Sequence, residues 1–329
     1  MTLPADLSTR LSLPLIAAPM FLVSGIDLVV AACRAGVVGS FPTANCRSVE
    51  ELDAWLTAMR AGVDAAEQAE RRVLAPICPN LIVHRSNARA MDDLAVVLRH
   101  RIQWVIASVG SPAQVVGPLH DAGCRVLADV ASMRHAEKAI EAGADGLVLL
   151  TAGAGGQTGW ANPFAFTRAV RAMWDGPLVM AGGIADGQAL WAARALGCDL
   201  AYMGTRFIAT QESLAPPAYK AMLVDSRLDD VLLTRAFTGL ETNMLRPSII
   251  AAGLDPDALP ARGTIDVAKD IDATERDKAR AGQGKRWKDI WSAGHSVSGV
   301  SDVPGVAELV ARTRVQYEAA RAQNNAAGM

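Results

Sequence analysis

Short apolar runs and amphipathic stretches alternate along the chain as far as about residue 225. The runs read LIAAPM (15–20), VVGSFP (37–42), VLAPICPNL (73–81), WVIASV (104–109), RVLADV (125–130), GLVLLTA (146–152), PLVMAGG (177–183) and LAYMGTRF (200–207). Each is short and mostly branched apolar, the signature of a strand buried on both faces. The stretches between them carry a helical period, at 27–35, 49–60, 88–101, 113–122, 134–142, 163–174, 187–196 and 217–224. Four end in Ala-Gly or Leu-Gly (Ala35-Gly36, Ala122-Gly123, Ala142-Gly143, Leu196-Gly197), the glycine stop expected after a helix.

Eight β-then-α units in succession predict an α/β chain folded as a (β/α)8 TIM barrel. A doubly wound open sheet competes with it, but usually carries a glycine-rich turn after its first strand. Here that strand ends in Ala18-Pro19-Met20, which favours the barrel. After Val224 the rhythm stops. Residues 226–288 hold helical pieces, a Gly/Pro-marked stretch (Gly253-Leu254-Asp255-Pro256, Leu259-Pro260) and a charged run at 270–280 that reads as a solvated helix face. Residues 306–323 read as a last amphipathic helix. The expected organisation is a barrel over 1–225, with 226–329 a C-terminal helical cap or lid whose final helix packs back on the barrel.

Of the 329 residues, 51% are apolar and 20% charged, with 32 Lys+Arg against 34 Asp+Glu and a net charge of −2. That balance excludes a disordered chain and offers no basic face to nucleic acid or an anionic membrane. No apolar run reaches the roughly 18–20 residues needed to cross a bilayer, and the first residues lack an apolar signal core. The five cysteines (Cys33, Cys46, Cys78, Cys124, Cys198) are scattered and never paired as CxxC. They read as small core residues in a reducing compartment, and no metal site is expected. The expectation is a cytoplasmic enzyme, monomer or homodimer, acting on a small molecule.

In such barrels the working residues lie at the C-terminal ends of the strands and in the loops that follow. That rule selects Ala18-Pro19-Met20, Pro42-Thr43, Asn80 with His84, Ser108, Asp129, the 151–160 loop, Gly182-Gly183 and Gly204-Thr205-Arg206. Gly182-Gly183 after the seventh strand and Gly204-Thr205 after the eighth stand where backbone N–H groups commonly cradle a phosphate. The loop Ala152-Gly153-Ala154-Gly155-Gly156-Gln157-Thr158-Gly159 permits unusual φ and a flat backbone wall beside a planar ligand. It lacks the GKS or GKT ending of a Walker loop.

These residues, taken in order, resemble the FMN-dependent nitronate monooxygenase (2-nitropropane dioxygenase) family, related to flavin-dependent enoyl-ACP reductases and some quinone reductases. The motifs are the first-strand APM, the Asn80 strand end, AGAGGQTG, GGIADG, MGTRFIAT and the late WKDIWSAGHSVSGV (287–300). The resemblance implies FMN, bound with Ala18, Pro19 and Met20 along the isoalloxazine ring and Asn80 on its pyrimidine edge. It places Asp129 near the ribityl chain or the ring's polar edge, and Gly155 and Gly156 beside the flavin. Gly182, Gly183, Gly204 and Thr205 would hold the phosphate, and Ser292 would approach from the cap. Its implied reaction oxidises an alkyl nitronate with O2 to a carbonyl compound and nitrite.

One position departs from the pattern. Many family members carry histidine directly after the Gly-Gly pair, where this chain has Gln157. Glutamine can orient an oxyanion but cannot abstract a proton. His84 and His295 are the candidates to replace the lost base; His100, His120 and His135 lie on helical patterns and read as bystanders. Three other readings stay open. They are an NAD(P)H-dependent reductase of enones, enoyl thioesters or quinones, a flavin-free phosphosugar or nucleotide enzyme, and a ligand sensor.

Overall fold

The apolar runs pair side by side as parallel strands, because each has side chains to bury on both of its faces. The computed structural model describes residues 3–259 and 289–326. Eight strands close into a barrel in the order β1 (Leu15–Ala17), β2 (Val38–Pro42), β3 (Ile77–Ile82), β4 (Trp104–Ser108), β5 (Arg125–Val130), β6 (Gly146–Leu150), β8 (Leu178–Ala181) and β9 (Leu200–Met203). Closure is direct: Leu15, Ile16 and Ala17 pair in parallel with Ala201, Tyr202 and Met203. Alternate residues fill the interior, among them Ile16, Val38, Cys78, Ile106, Leu127, Val148, Val179 and Tyr202, and Leu7 of the short α1 (Ala5–Ser8) joins the same cluster. Their neighbours along the strands point outward into a second layer formed with the helices.

The outer helices are α2 (Ile26–Ala35), α3 (Val49–Glu70), α4 (Ala90–Arg99), α5 (Ala113–Asp121), α6 (Met133–Glu141), α7 (Pro163–Met173) and α8 (Gly187–Leu196). Helix α3 runs ten residues past its expected end at 60, since Val63 and Ala66 continue its buried stripe. All five cysteines are buried and free, and burial pushes the thiols of Cys33, Cys46 and Cys124 up to about 12.

The eighth unit departs from the regular pattern. After β9 come the one-turn α9 (Thr205–Ile208) and α10 (Pro217–Asp225). Helix α10 packs Tyr219 and Leu223 with Val23, Leu245, Ala293 and Val297, so it belongs to the cap rather than the outer ring. The ring is completed by the last helix, α12 (Val306–Ala326), which lies against α8 and α2. Trp191 meets Tyr317 edge-on there, at 5.7 Å between ring centres. The final helix therefore supplies the barrel's eighth helical position, delivered after the cap excursion.

Nor is the cap wholly helical. Strands β10 (Val231–Thr234) and β11 (Thr242–Leu245) form an antiparallel pair, and β11 pairs in turn with the two-residue β7 (Gly156–Gln157). Helix α11 (Arg246–Ala251) follows β11. The charged run at 270–280 lies outside the described residues. Among the described residues no helix is long and apolar enough to cross a membrane.

Candidate active site

A cavity of about 240 Å³ opens at the C-terminal end of the barrel, beneath the cap. Twelve residues expected at the site from the sequence border it: Ala18, Pro19, Met20, Asn80, Asp129, Gly155, Gly156, Gly182, Gly183, Gly204, Thr205 and Ser292; Gln157 joins them. His84 and His295 do not. The His84 Nδ1 lies 2.8 Å from the Ser86 hydroxyl and accepts from the Ser86 N–H, turned into its own loop. His295 is exposed, and its N–H donates to the Gly153 carbonyl at 2.9 Å. Ser296 reaches the cavity in its place.

The first wall follows β1. Beyond Ala18-Pro19-Met20 the loop carries Leu22 at φ 60°, a strained conformation for an ordinary side chain. Buried Asn45 holds it there: its carbonyl oxygen accepts from the Leu22 N–H at 2.8 Å, and its amide donates to Met20 O at 3.1 Å and Ser24 O at 2.8 Å. Val109, another wall residue, has φ 59°, rarer still for a β-branched side chain. Such outliers concentrate at functional sites, where the surrounding fold holds them.

On the floor, the Ser108 hydroxyl donates to Asn80 Oδ1 at 2.8 Å. That fixes the Asn80 amide, and its NH2 group, without a partner among the described residues, is left for a ligand. Asp129 and Tyr202 stand in the same cavity. Asp129 Oδ1 and the Tyr202 hydroxyl are fully buried and have no hydrogen-bond partner. Burial pushes the Asp129 carboxyl up to about 7. It also raises the Tyr202 phenol, and the neighbouring Asp129 charge adds to that rise.

At the far end, Gly182 and Gly183 have φ of 127° and 78°. A Cβ on Gly182 would stand 2.5 Å from the Thr151 hydroxyl, whereas one on Gly183 meets nothing within 4 Å. Gly183 thus presents bare backbone to open space, which is the form a phosphate cradle needs. Among the described residues no lysine or arginine lines the cavity, and the groups that could meet an anion there are N–H and O–H groups. Arg206, one residue beyond Thr205 and 6% exposed, lies outside the cavity wall; its Nη2 faces the Asp302 carboxylate at 3.5 Å, and its buried Nη1 has no partner among the described residues.

The roof is built by two glycine-rich segments meeting backbone to backbone. The Gly294 N–H donates to the Thr205 hydroxyl oxygen at 3.0 Å, and the Asn243 amide donates to Ala154 O at 2.7 Å. A Cβ on Gly294 would stand 2.6 Å from Gly153 O and 2.9 Å from Gly155 N. The 153–155 glycines therefore serve the docking of the cap as well as the cavity wall. Gln157 pairs with Thr242, which holds its backbone in the small sheet. Its side-chain amide has no partner among the described residues. Thr238, Ser296, Tyr202 and Val109 were absent from the sequence-derived site. Ser296 lies in the 287–300 motif beside the histidine singled out there, whereas Thr238 belongs to no motif and only the fold brings it in.

A closed parallel barrel whose mouth gathers strand-end glycines, polar side chains and apolar walls under a cap has the layout of a (β/α)8 enzyme. The family profile of nitronate monooxygenase matches residues 6–314, and the chain belongs to that family. It is accordingly an oxidoreductase of a flavin-dependent group. A nitronate monooxygenase of Paraburkholderia phytofirmans is 29% identical over 91% of this chain and 90% of its own length. The (3aS,4S,5R,7aS)-5-hydroxy-7a-methyl-1-oxo-octahydro-1H-indene-4-carboxyl-CoA dehydrogenase of Mycobacterium tuberculosis is 28% identical over 72% of this chain. That match spans 64% of the relative, under two thirds of its length. The crystal structure of a nitroalkane oxidase from Streptomyces ansochromogenes superposes with a TM-score of 0.80 at 24% identity, covering 97% of this chain and 100% of that one, and supports the fold.

Proposed function

We propose that the protein is an FMN-dependent nitronate monooxygenase that converts small alkyl nitronates and O2 to carbonyl compounds and nitrite. The observation that carries the reading is the composition of the cavity wall. No histidine borders it, and Gln157 stands on the roof with an uncommitted amide. A nitronate has already lost its carbon-bound proton, so its oxidation needs no general base. What it needs is hydrogen bonding to an anionic nitro group, which an amide N–H supplies.

The residues present fit FMN. The Gly182-Gly183 backbone and Gly204-Thr205 suit a monophosphate, the Asn80 amide suits a polar ring edge, and Ala18, Pro19 and Met20 suit an apolar ring face. When bound, the flavin supplies the electron transfer and the reaction with O2. The chain's own part is positioning. Gln157 Nε2 donates to the substrate's nitro oxygens, with the Ser292 and Ser296 hydroxyls beside it. The apolar cluster of Val23, Ile208, Ala293 and Val297 excludes water above the ring.

Mass spectrometry of the ligand released on denaturation, with nitrite and O2 measured during turnover of a propyl nitronate, tests this. FMN and nitrite formation are expected; FAD, no flavin, or no nitrite overturns it. The Mycobacterium relative, named as a CoA dehydrogenase, favours a second reading. In that reading a bound flavin would supply electron exchange between NAD(P)H and an enone, enoyl thioester or quinone, with the same residues holding it.

A further inference from the structure

Residues Leu127 and Asp129 of β5 point into the barrel, whereas Ala128 and Val130 face the helices. On β9, Leu200 and Tyr202 point inward in the same alternation. Asp129 and Tyr202 therefore belong to the floor of the cavity, while Gln157, Ser292 and Ser296 belong to the roof. A planar ligand across the barrel mouth separates the two sets. Both floor residues end in a buried oxygen with no partner. A buried polar group left unpaired is costly, so two in one cavity mark a place that a ligand completes.

The charge surroundings are unusually bare. Among the described residues, the flanking strands β4 and β6 and the facing β1, β2 and β8 contribute no ionisable side chain inside the barrel. Among the described residues, the other ionisable groups on the inner face of the barrel are Tyr202 and the Cys78 thiol of β3, both themselves raised by burial, and Arg125 at the far end of β5, which is paired with Asp6. Among the described residues no cation stands beside Asp129 to hold its carboxylate in the charged form.

We propose that Asp129, as a neutral carboxylic acid, and Tyr202 form a paired hydrogen-bond donor site for the barrel-facing edge of the bound flavin. This rests on the FMN reading above. Below its transition Asp129 donates a proton in a hydrogen bond to a ligand oxygen or nitrogen, with Tyr202 donating beside it. Above the transition it carries an unpaired charge that a covering flavin desolvates further. Flavin binding and Asp129 protonation therefore support one another, and affinity falls as pH rises through about 7.

Two measurements test the pair on wild type, Asp129→Asn and Tyr202→Phe. Infrared difference spectra against pH read the carbonyl stretch of a protonated carboxyl, whatever reaction the enzyme performs. The expected band is present in wild type at pH about 6, disappears on titration through neutrality and is missing in Asp129→Asn at every pH. In Tyr202→Phe the band remains and still disappears on titration, because the Tyr202 hydroxyl makes no hydrogen bond to Asp129. The second measurement is the Kd of FMN for protein stripped of flavin. Asp129→Asn keeps an N–H donor and should match wild type at low pH, then bind more tightly than wild type above neutrality, by up to about tenfold per pH unit. Tyr202→Phe should weaken FMN about two- to tenfold at low pH, the value of one neutral hydrogen bond. Absence of the band from wild type, or an equal loss of FMN by Asp129→Asn at all pH values, overturns the donor pair. Release of FAD, or of no flavin at all, would instead overturn the cofactor reading and leave the infrared result standing.

Discussion

Gln157 concentrates the functional question in one side chain. It follows the glycine pair at the position where the family resemblance implies a histidine in many members, and its backbone is pinned by pairing with Thr242. An imidazole placed there would inherit a fixed position rather than a mobile loop. Gln157→His is therefore expected to raise oxidation of neutral nitroalkanes by about 10²-fold or more, the usual reach of a general base, while leaving nitronate turnover within a few-fold. The gained activity should follow a histidine titration near pH about 6.5. Steady-state rates with paired nitroalkane and nitronate substrates check this. Efficient nitroalkane oxidation by the unmodified protein would contradict it. Most of the cavity wall was legible at this scale, because glycines and polar residues at strand ends stand out against apolar runs. His84 and His295 were misleading for a physical reason: sequence proximity to a strand end does not set side-chain direction. His84 turns to Ser86, and His295 lies on the solvent side of Gly153. Asn45, which holds the Met20 loop through three hydrogen bonds, carried no signal, since nothing local shows which backbone an amide reaches.

At the level of elements, the strands of the barrel followed from their own apolar runs, but β7, β10 and β11 did not. A strand of two residues such as Gly156–Gln157 has no pattern of its own and exists because β11 offers it partners. The close contact of the two glycine segments was likewise invisible, since it joins positions about 140 residues apart. It makes a sharp expectation for Gly294→Ala. The backbone there has an ordinary φ of −87°, so any effect comes from the new Cβ against Gly153 O and Gly155 N. Backbone on both sides cannot give way cheaply, and overpacking of this kind costs about 1–3 kcal/mol. The variant should melt earlier and expose the cap to limited proteolysis, with KM rising more than kcat falls. An unchanged melting curve with full flavin content would show that the docking of the cap is looser than described.

For the molecule as a whole, the barrel explains why the site is where it is. Eight strand ends converge on one mouth, and the cap returns to cover it before α12 completes the helical ring between α8 and α2. Reading 217–224 as the eighth outer helix was natural from its spacing. The structure assigns that position to α12 because Val306, Leu309, Val310 and Tyr317 bring the apolar face that the barrel requires. The cap is thus tied to the barrel at both ends, which suits a chamber that holds a flavin and a small substrate away from water. The measurement that tests this account most directly is the visible spectrum of the anaerobic protein, titrated separately with NADH, NADPH and a propyl nitronate. The account predicts an FMN spectrum that the nitronate reduces promptly and that either nicotinamide changes slowly or not at all. Rapid bleaching by NADH or NADPH, with no response to the nitronate, would contradict it.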